Sequence, residues 1–238
     1  MTVIKILITA GCAVLLTALF MFSPFFHFTD ISVEGNFQIE TDEILYRAGL
    51  DAETNFFLFN TRRARRYIKE NHFIEHVQFV RTFPDTIEIL VQERFLSGFI
   101  EYLEGTFLYI DENGRLLQVR SYARQDLPRI TGLQPAQVHL GQQLEVDDPA
   151  AFTTVMIYAK LLNRHGLMDI ISHIDISDTE NIRIRLYNIE VYLGNTDNAH
   201  EKILTLREIV NEWPVVSNAR GFLDLREPGT EFIFRNLT

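Results

Sequence analysis

A single cysteine, Cys12, occurs in the 238 residues. No disulfide can therefore form within the chain, and a metal site built on cysteine is excluded. Stability has to come from burial. Basic excess is also lacking: 22 Lys and Arg stand against 32 Asp and Glu, a net charge of −10. Nucleic-acid binding calls for a basic stripe, and broad attraction to anionic lipid calls for basic clusters, so the balance speaks against both. Catalytic signatures are missing as well. There is no G-x-S-x-G, H-E-x-x-H or P-loop pattern. The neighbouring acids Asp111-Glu112 and Asp147-Asp148 fall beside a turn and at a helix start, whereas paired general acid–base work needs carboxyls converging across a cleft. His72 and His76 are four apart, but Asn71-His72-Phe73 reads as a helix end without nearby third and fourth ligands. No internal repeat or low-complexity segment occurs. The expectation is of no enzyme, no metal or other cofactor, no nucleic acid and no small-molecule substrate.

What is present begins with residues 6–26, ILITAGCAVLLTALFMFSPFF, 21 residues without a charge. At about 1.5 Å per residue, a helix of that length spans the ~30 Å hydrocarbon core of a bilayer. A helix also satisfies its own backbone there. A cleaved signal peptide would end its apolar core in small residues; here the run ends in Phe22-Ser23-Pro24-Phe25-Phe26. The reading is an uncleaved transmembrane anchor, with Pro24 at its exit and Phe25, Phe26 and Phe28 at the interface. Lys5 lies before it, and Asp30, Glu34 and Glu40 precede the first basic residue after it, Arg47. The positive-inside bias then leaves residues 1–5 as a short cytoplasmic tail and everything after residue 26 outside the cell membrane, a single-pass type II topology.

Beyond the anchor the pattern is α+β. Within residues 27–94 the expected order is strand, helix, helix, strand, strand. Ile31 and Val33 alternate in a short strand, Thr41 caps a helix over 42–48 that ends at Gly49, and Asn60 or Thr61 caps a second helix to about residue 70. Val77 and Phe79 share one strand face, and Ile87, Ile89 and Val91 another. A three-stranded sheet covered on one face by two helices satisfies this order. Residues 95–238 read as a mixed or antiparallel β domain with two flanking helices. Strands are expected at 98–103 and 106–110, and Asn113-Gly114 signals a hairpin in which both residues take positive φ. Residues 120–147 read as loop. Asp148-Pro149 opens a helix with Phe152, Val155, Ala159 and Leu162 on one face. Strands follow at 170–176, 182–186 and around 189–193, then a helix over 197–213 with the stripe Ala199, Ile203, Leu206, Val210 and Trp213. Residues 219–225 and 231–235 look like closing strands.

Several of these segments together resemble a known family. Val33-Glu34-Gly35, Gly49, Asn55-Phe56-Phe57-Leu58-Phe59, Arg81-Thr82-Phe83-Pro84-Asp85-Thr86-Ile87-Glu88-Ile89 and Glu93-Arg94 resemble a POTRA domain. With the anchor, with Tyr109-Ile110-Asp111-Glu112-Asn113-Gly114 and with Leu223-Asp224-Leu225-Arg226, the chain resembles the FtsQ/DivIB family. The resemblance implies a POTRA domain over 27–94 and an FtsQ-type β domain over 95–238. It implies a non-enzymatic divisome scaffold at the septum that holds the small bitopic proteins FtsL and FtsB/DivIC and helps control septal peptidoglycan synthesis. The family's partner-binding edge maps here onto Arg226, Glu227, Gly229, Glu231, Phe232, Ile233, Phe234 and Arg235.

The residues themselves allow that role. Phe232 and Phe234 alternate with Glu231, Ile233 and Arg235, and a terminal strand can offer an unpaired edge for strand addition. Equally, the two phenylalanines can be ordinary core residues under a covered edge. Arg62-Arg63-Ala64-Arg65-Arg66 is the one basic cluster; it reads either as a solvated helix face or as a contact for phosphate headgroups or an acidic partner. Two other classes remain open: an anchored extracytoplasmic enzyme acting on cell-wall polymer, which requires a pocket with perturbed acids or a nucleophile and base, and a POTRA component of a secretion or outer-membrane assembly system.

Overall fold

The computed structural model describes residues 2–212, 220–227 and 233–236. The chain is α+β and forms two compact units, one up to Arg94 and one from Phe95. The first unit opens with α1, Thr2–Met21, followed by a single 3-10 turn at Pro24–Phe26. From Ile4 to Met21 the helix is long and apolar enough to cross a membrane, and none of that stretch is buried in the protein. Thr9 and Thr17 return their hydroxyls to the carbonyls of Lys5 and Ala13, at 2.9 and 2.8 Å, which satisfies their polar atoms without water. The helix fits a transmembrane anchor. It stops before the apolar run does, because Pro24 lacks an N–H and its ring clashes with a continuing helix. Of the phenylalanines expected at the interface, Phe25 is exposed, whereas Phe26 and Phe28 are buried in the unit.

The rest of the first unit is β1 (Asp30–Glu34), α2 (Thr41–Ala48), α3 (Thr61–Ile68), β2 (Ile74–Thr82) and β3 (Thr86–Glu93), with the strands in the order β1-β3-β2. β1 is parallel to β3, with Ile31 opposite Ile87 and Val33 opposite Ile89; β2 is antiparallel to it. Ile87, Ile89 and Val91 alternate along β3, so they share one face. They are buried in one core with Ile44 and Ala48 of α2 and Ala64 and Ile68 of α3. Asn60 caps α3, its Oδ1 accepting from the Arg63 N–H at 3.0 Å. The start of α2 differs from expectation. Thr41 is its first residue, Glu40 occupies the cap position without a side-chain bond, and the Thr41 hydroxyl instead accepts from Asn36 at 3.2 Å.

The loop before α2 is fastened from the far end of β3. The Glu93 carboxylate, 5% exposed, accepts from the backbone N–H groups of Phe37, Gln38 and Ile39 at 2.9, 2.9 and 3.1 Å. Gly35 lets the chain pass close beneath: it has φ +83, and a Cβ there would lie 2.1 Å from the Val91 carbonyl oxygen. Val33-Glu34-Gly35 and Glu93-Arg94, far apart in sequence, thus belong to one device.

In the second unit the strands are β4 (Gly98–Leu103), β5 (Thr106–Ile110), β6 (Leu116–Arg120), β7 (Arg129–Thr131), β8 (Pro135–Gln137), β9 (Glu145–Val146), β10 (Ile171–Asp175), β11 (Ile182–Leu186), β12 (Ile189–Gly194), β13 (Gly221–Asp224) and β14 (Ile233–Asn236). Helix α4 is Pro149–Arg164 and α5 is Ala199–Glu212. Nine strands make one mixed sheet in the order β14-β13-β12-β11-β10-β7-β4-β5-β6, and β8 and β9 pair separately. Residues 120–147, expected to be loop, contain the strand that joins the sheet. β7 is parallel to β4 on one side and to β10 on the other, with Ile130 opposite both Ile100 and Ile174.

Asp148 caps α4 by accepting from the N–H groups of Ala150 and Ala151, and Phe152, Val155, Ala159 and Leu162 are buried as expected. Along α5, Ala199, Ile203 and Leu206 are buried and Val210 is partly so; Trp213 lies outside the described residues. The β5–β6 hairpin forms, but Asn113 does not take positive φ; only Gly114 does, at +71. The turn is built instead on buried Asp111, whose Oδ1 accepts from the N–H groups of Asn113 and Arg115, both at 2.8 Å. Gly114 packs against α4, where a Cβ would lie 2.1 Å from Cζ of Phe152.

Candidate partner-binding edge

The C-terminal end of the sheet is assembled on β12. β13 runs parallel to it, with Leu223 opposite Val191, and β14 returns antiparallel to β13, with Phe222 opposite Arg235, Leu223 opposite Phe234 and Asp224 opposite Ile233. β14 stands at the end of the sheet; among the described residues no strand pairs with its other side. Of the eight residues expected at this edge, Ile233, Phe234 and Arg235 fall on β14, while Arg226 and Glu227 follow β13 and are exposed. Gly229, Glu231 and Phe232 lie outside the described residues.

Leu223-Asp224-Leu225-Arg226 works by alternation. Leu223 and Leu225 are buried, and the Leu225 N–H donates to the Tyr192 carbonyl at 2.9 Å. Asp224 and Arg226, two apart in extended chain, then share the opposite side. The Arg226 guanidinium forks onto the carboxylate, Nε lying 2.9 and 3.2 Å from its two oxygens with Nη2 on Oδ2. The same guanidinium lies over the Tyr192 ring, 6.0 Å from its centroid. Bonding from Arg226 holds the Asp224 carboxyl below the ordinary carboxylate range, against the opposing effect of burial. An acid two residues before an arginine in a strand was a readable signal for this pairing. Tyr192 was not readable, since it arrives from another strand.

Two further polar groups of the second unit, Lys202 and Asp175, are held by bonds within the fold. Lys202 is 2% exposed, and its Nζ donates to the carbonyls of Leu193 and Asn195 at 2.7 and 3.0 Å. Burial lowers its pKa, with Asp197 acting the other way. Across the β7 seam, Asp175 accepts from the Ser177 hydroxyl at 2.7 Å, from Thr131 at 3.3 Å and from Arg183 at 2.7 Å. Burial alone would raise its pKa; these donors lower it.

In the first unit an open groove of about 760 Å³ lies between α2 and α3, lined in part by Glu43, Tyr46, Leu58, Arg63 and Tyr67. Within the arginine cluster, Arg63 and Arg66 stack on Tyr67, and Arg65 donates to the Val77 carbonyl at 3.1 Å. The cluster therefore divides between a helix surface and a strand contact. Among the described residues, no group of three or more His, Cys, Asp or Glu is arranged to hold a metal ion.

An apolar N-terminal helix, a β-α-α-β-β unit and a mixed β unit with flanking helices define a POTRA-bearing chain of the bitopic kind. Residues 26–94 match the family model described as POTRA domain, FtsQ-type. Over most of its length the chain is also similar to bacterial cell-division proteins. It is 25% identical over 207 residues to the cell division protein DivIB of Clostridium acetobutylicum, covering 87% of this chain and 82% of the relative. It is 23% identical over 213 residues to DivIB of Clostridium tetani, covering 89% and 80%. It is 25% identical over 210 residues to the cell division protein FtsQ of Syntrophotalea carbinolica, covering 85% and 70%. The likeness to the FtsQ/DivIB family carried by the motifs is thus borne out, and it supports a role in cell division for a membrane-anchored chain.

Proposed function

We propose that this chain is a non-enzymatic scaffold of the division machinery, anchored by α1 with its N-terminus in the cytoplasm and its two units outside. At the septum it holds FtsL- and FtsB/DivIC-type bitopic proteins and so helps control septal peptidoglycan synthesis. The observation that carries the reading is the position of β14 at the end of a nine-stranded sheet. An end strand offers a row of N–H and C=O groups to which an extended partner segment can add as a tenth strand. The Asp224–Arg226 pair at the end of β13, its arginine exposed and its carboxylate partly buried, marks one limit of that edge and gives a charged rim. Rim charges tune association rate and register more than affinity.

Capture of purified FtsL and FtsB/DivIC by residues 27–238, with and without residues 227–238, tests the reading. The expected result is capture by the longer form and none by the shorter. Equal capture by both forms would move the binding surface elsewhere. Turnover of a cell-wall polymer that a single side-chain replacement abolishes would overturn the scaffold reading.

A further inference from the structure

We propose that the base of the first unit, centred on Phe25, Phe57, Leu58 and Phe83, is seated in the interfacial zone of the bilayer, so that the unit lies on the membrane rather than swinging above it. The proposal rests on the reading of α1 as the anchor. The length of α1 fixes the level. Beyond the charged Lys5, the helix from Ile6 to Met21 rises only about 24 Å, less than the ~30 Å hydrocarbon core, so the exit at Met21 lies no further out than the hydrocarbon boundary. The folded unit reaches that level directly. Buried Asn55 donates its Nδ2–H to the Met21 carbonyl at 2.9 Å and so closes an open carbonyl at the end of the helix. Phe26, 1% exposed, packs edge-on against Phe20 in the last turn of α1 at 5.0 Å and against Phe57 at 5.0 Å, and it lies 5.7 Å from Phe83. One ring therefore bridges a helix residue inside the hydrocarbon to the tips of two loops.

Those tips are apolar and open. Phe25 is 62% exposed, Phe83 63%, Leu58 59% and Phe57 41%. Three separate segments place them around the exit of one helix. A cluster of bulky side chains continuous with a membrane-spanning surface is covered by the same medium as that surface. Charge identifies the kind of membrane contact. Arg81 lies over the Phe56 ring and donates to the Phe56 carbonyl at 3.0 Å. Asp85, bonded to Thr29, stands two residues from Phe83. With both signs present, contact runs through apolar insertion and does not require anionic lipid.

Spin labels on the full chain in phosphatidylcholine vesicles test this. Cys12, the one native cysteine, reports on the anchor; on a C12S background, F57C and F83C report on the base. Gln92, exposed near the far end of β3, lies roughly 20 Å along the strand from Thr86, and Q92C serves as the distant site. Labels at 57 and 83 should collide more often with dissolved oxygen than with a water-soluble nickel chelate, as at 12, while the label at 92 shows the reverse. Replacing half the lipid with phosphatidylglycerol should leave the ratio at 57 and 83 unchanged within twofold. Labels at 57 and 83 that behave like 92 while 12 stays protected would overturn the seating and leave the anchor standing. Nickel access at 12 would overturn both.

Discussion

The two units solve the problem of holding a sheet together differently. In the first, every strand of β1-β3-β2 brings part of one core, and a buried carboxylate, Glu93, ties the end of β3 to the loop before α2 through three backbone N–H groups. In the second, the nine-stranded sheet passes through a strand of three residues. Among the described residues, β7 is the strand that pairs the β4-β5-β6 side with the β10-to-β14 side of the sheet, and Ile130 carries its buried side chain. The first arrangement is compact and closed by side chains. The second runs through nine strands, and among the described residues no strand pairs with the outer side of β14. The proposed addition of a partner strand at that edge requires that the seam resist opening.

The sharpest way to break the comparison is at the seam. Ile130→Ala should destabilise the second unit by about 2–5 kcal/mol, the usual cost of emptying a buried aliphatic site. Hydrogen exchange resolved along residues 27–238 should show faster opening of β4 to β14 with β1, β2 and β3 unchanged. The converse change is Glu93→Ala. It strands three N–H groups and should cost the first unit about 2–3 kcal/mol, read as a lower urea midpoint for that unit alone.

A smaller effect is expected beside the seam. Asp175→Asn should cost the second unit about 1–2 kcal/mol at neutral pH, through weakened bonds to Ser177 and Arg183. The folded pKa of Asp175 is depressed. Its contribution is therefore present above the ordinary carboxylate pKa of about 3.9 and is lost as pH falls through the folded value, so wild type and D175N should converge in acid unfolding. The smallest change is Asp224→Asn. In the pair with Arg226 the arginine is exposed and the carboxylate partly buried, and loss of the pair should alter stability by about 1 kcal/mol or less while lowering the association rate of an oppositely charged partner in stopped-flow mixing.

The difference between the units also governs what the sequence revealed. In the first unit the succession of strands and helices along the chain and the glycine stop at Gly49 were legible, because each has a local periodicity or cap, whereas the pairing order β1-β3-β2 was not read. The start of α2 was misread by one residue, since the loop before it is bound by Glu93 from 54 or more residues away and not by a threonine cap. In the second unit the helix stripe of α4 was legible. β7 was not: Arg-Ile-Thr is too short to show alternation, and only its two neighbours make it a strand. Lys202 was missed because lysine is ordinarily exposed, and nothing in the chain announces the two carbonyls that hold it. At the candidate edge, β14 was legible as a closing strand, but its place at the end of the sheet depends on long-range pairing.

One pair of variants tests the edge most directly. Along a terminal strand alternate N–H groups point toward the neighbouring strand and away from it. Ile233→Pro and Phe234→Pro should therefore divide: one removes a bond to β13 and destabilises the second unit, and the other removes an outward N–H and leaves the fold intact. The account predicts that the fold-neutral variant loses at least tenfold in affinity for FtsL and FtsB/DivIC in a titration with the full chain in vesicles. Unchanged affinity in the fold-neutral variant would contradict it.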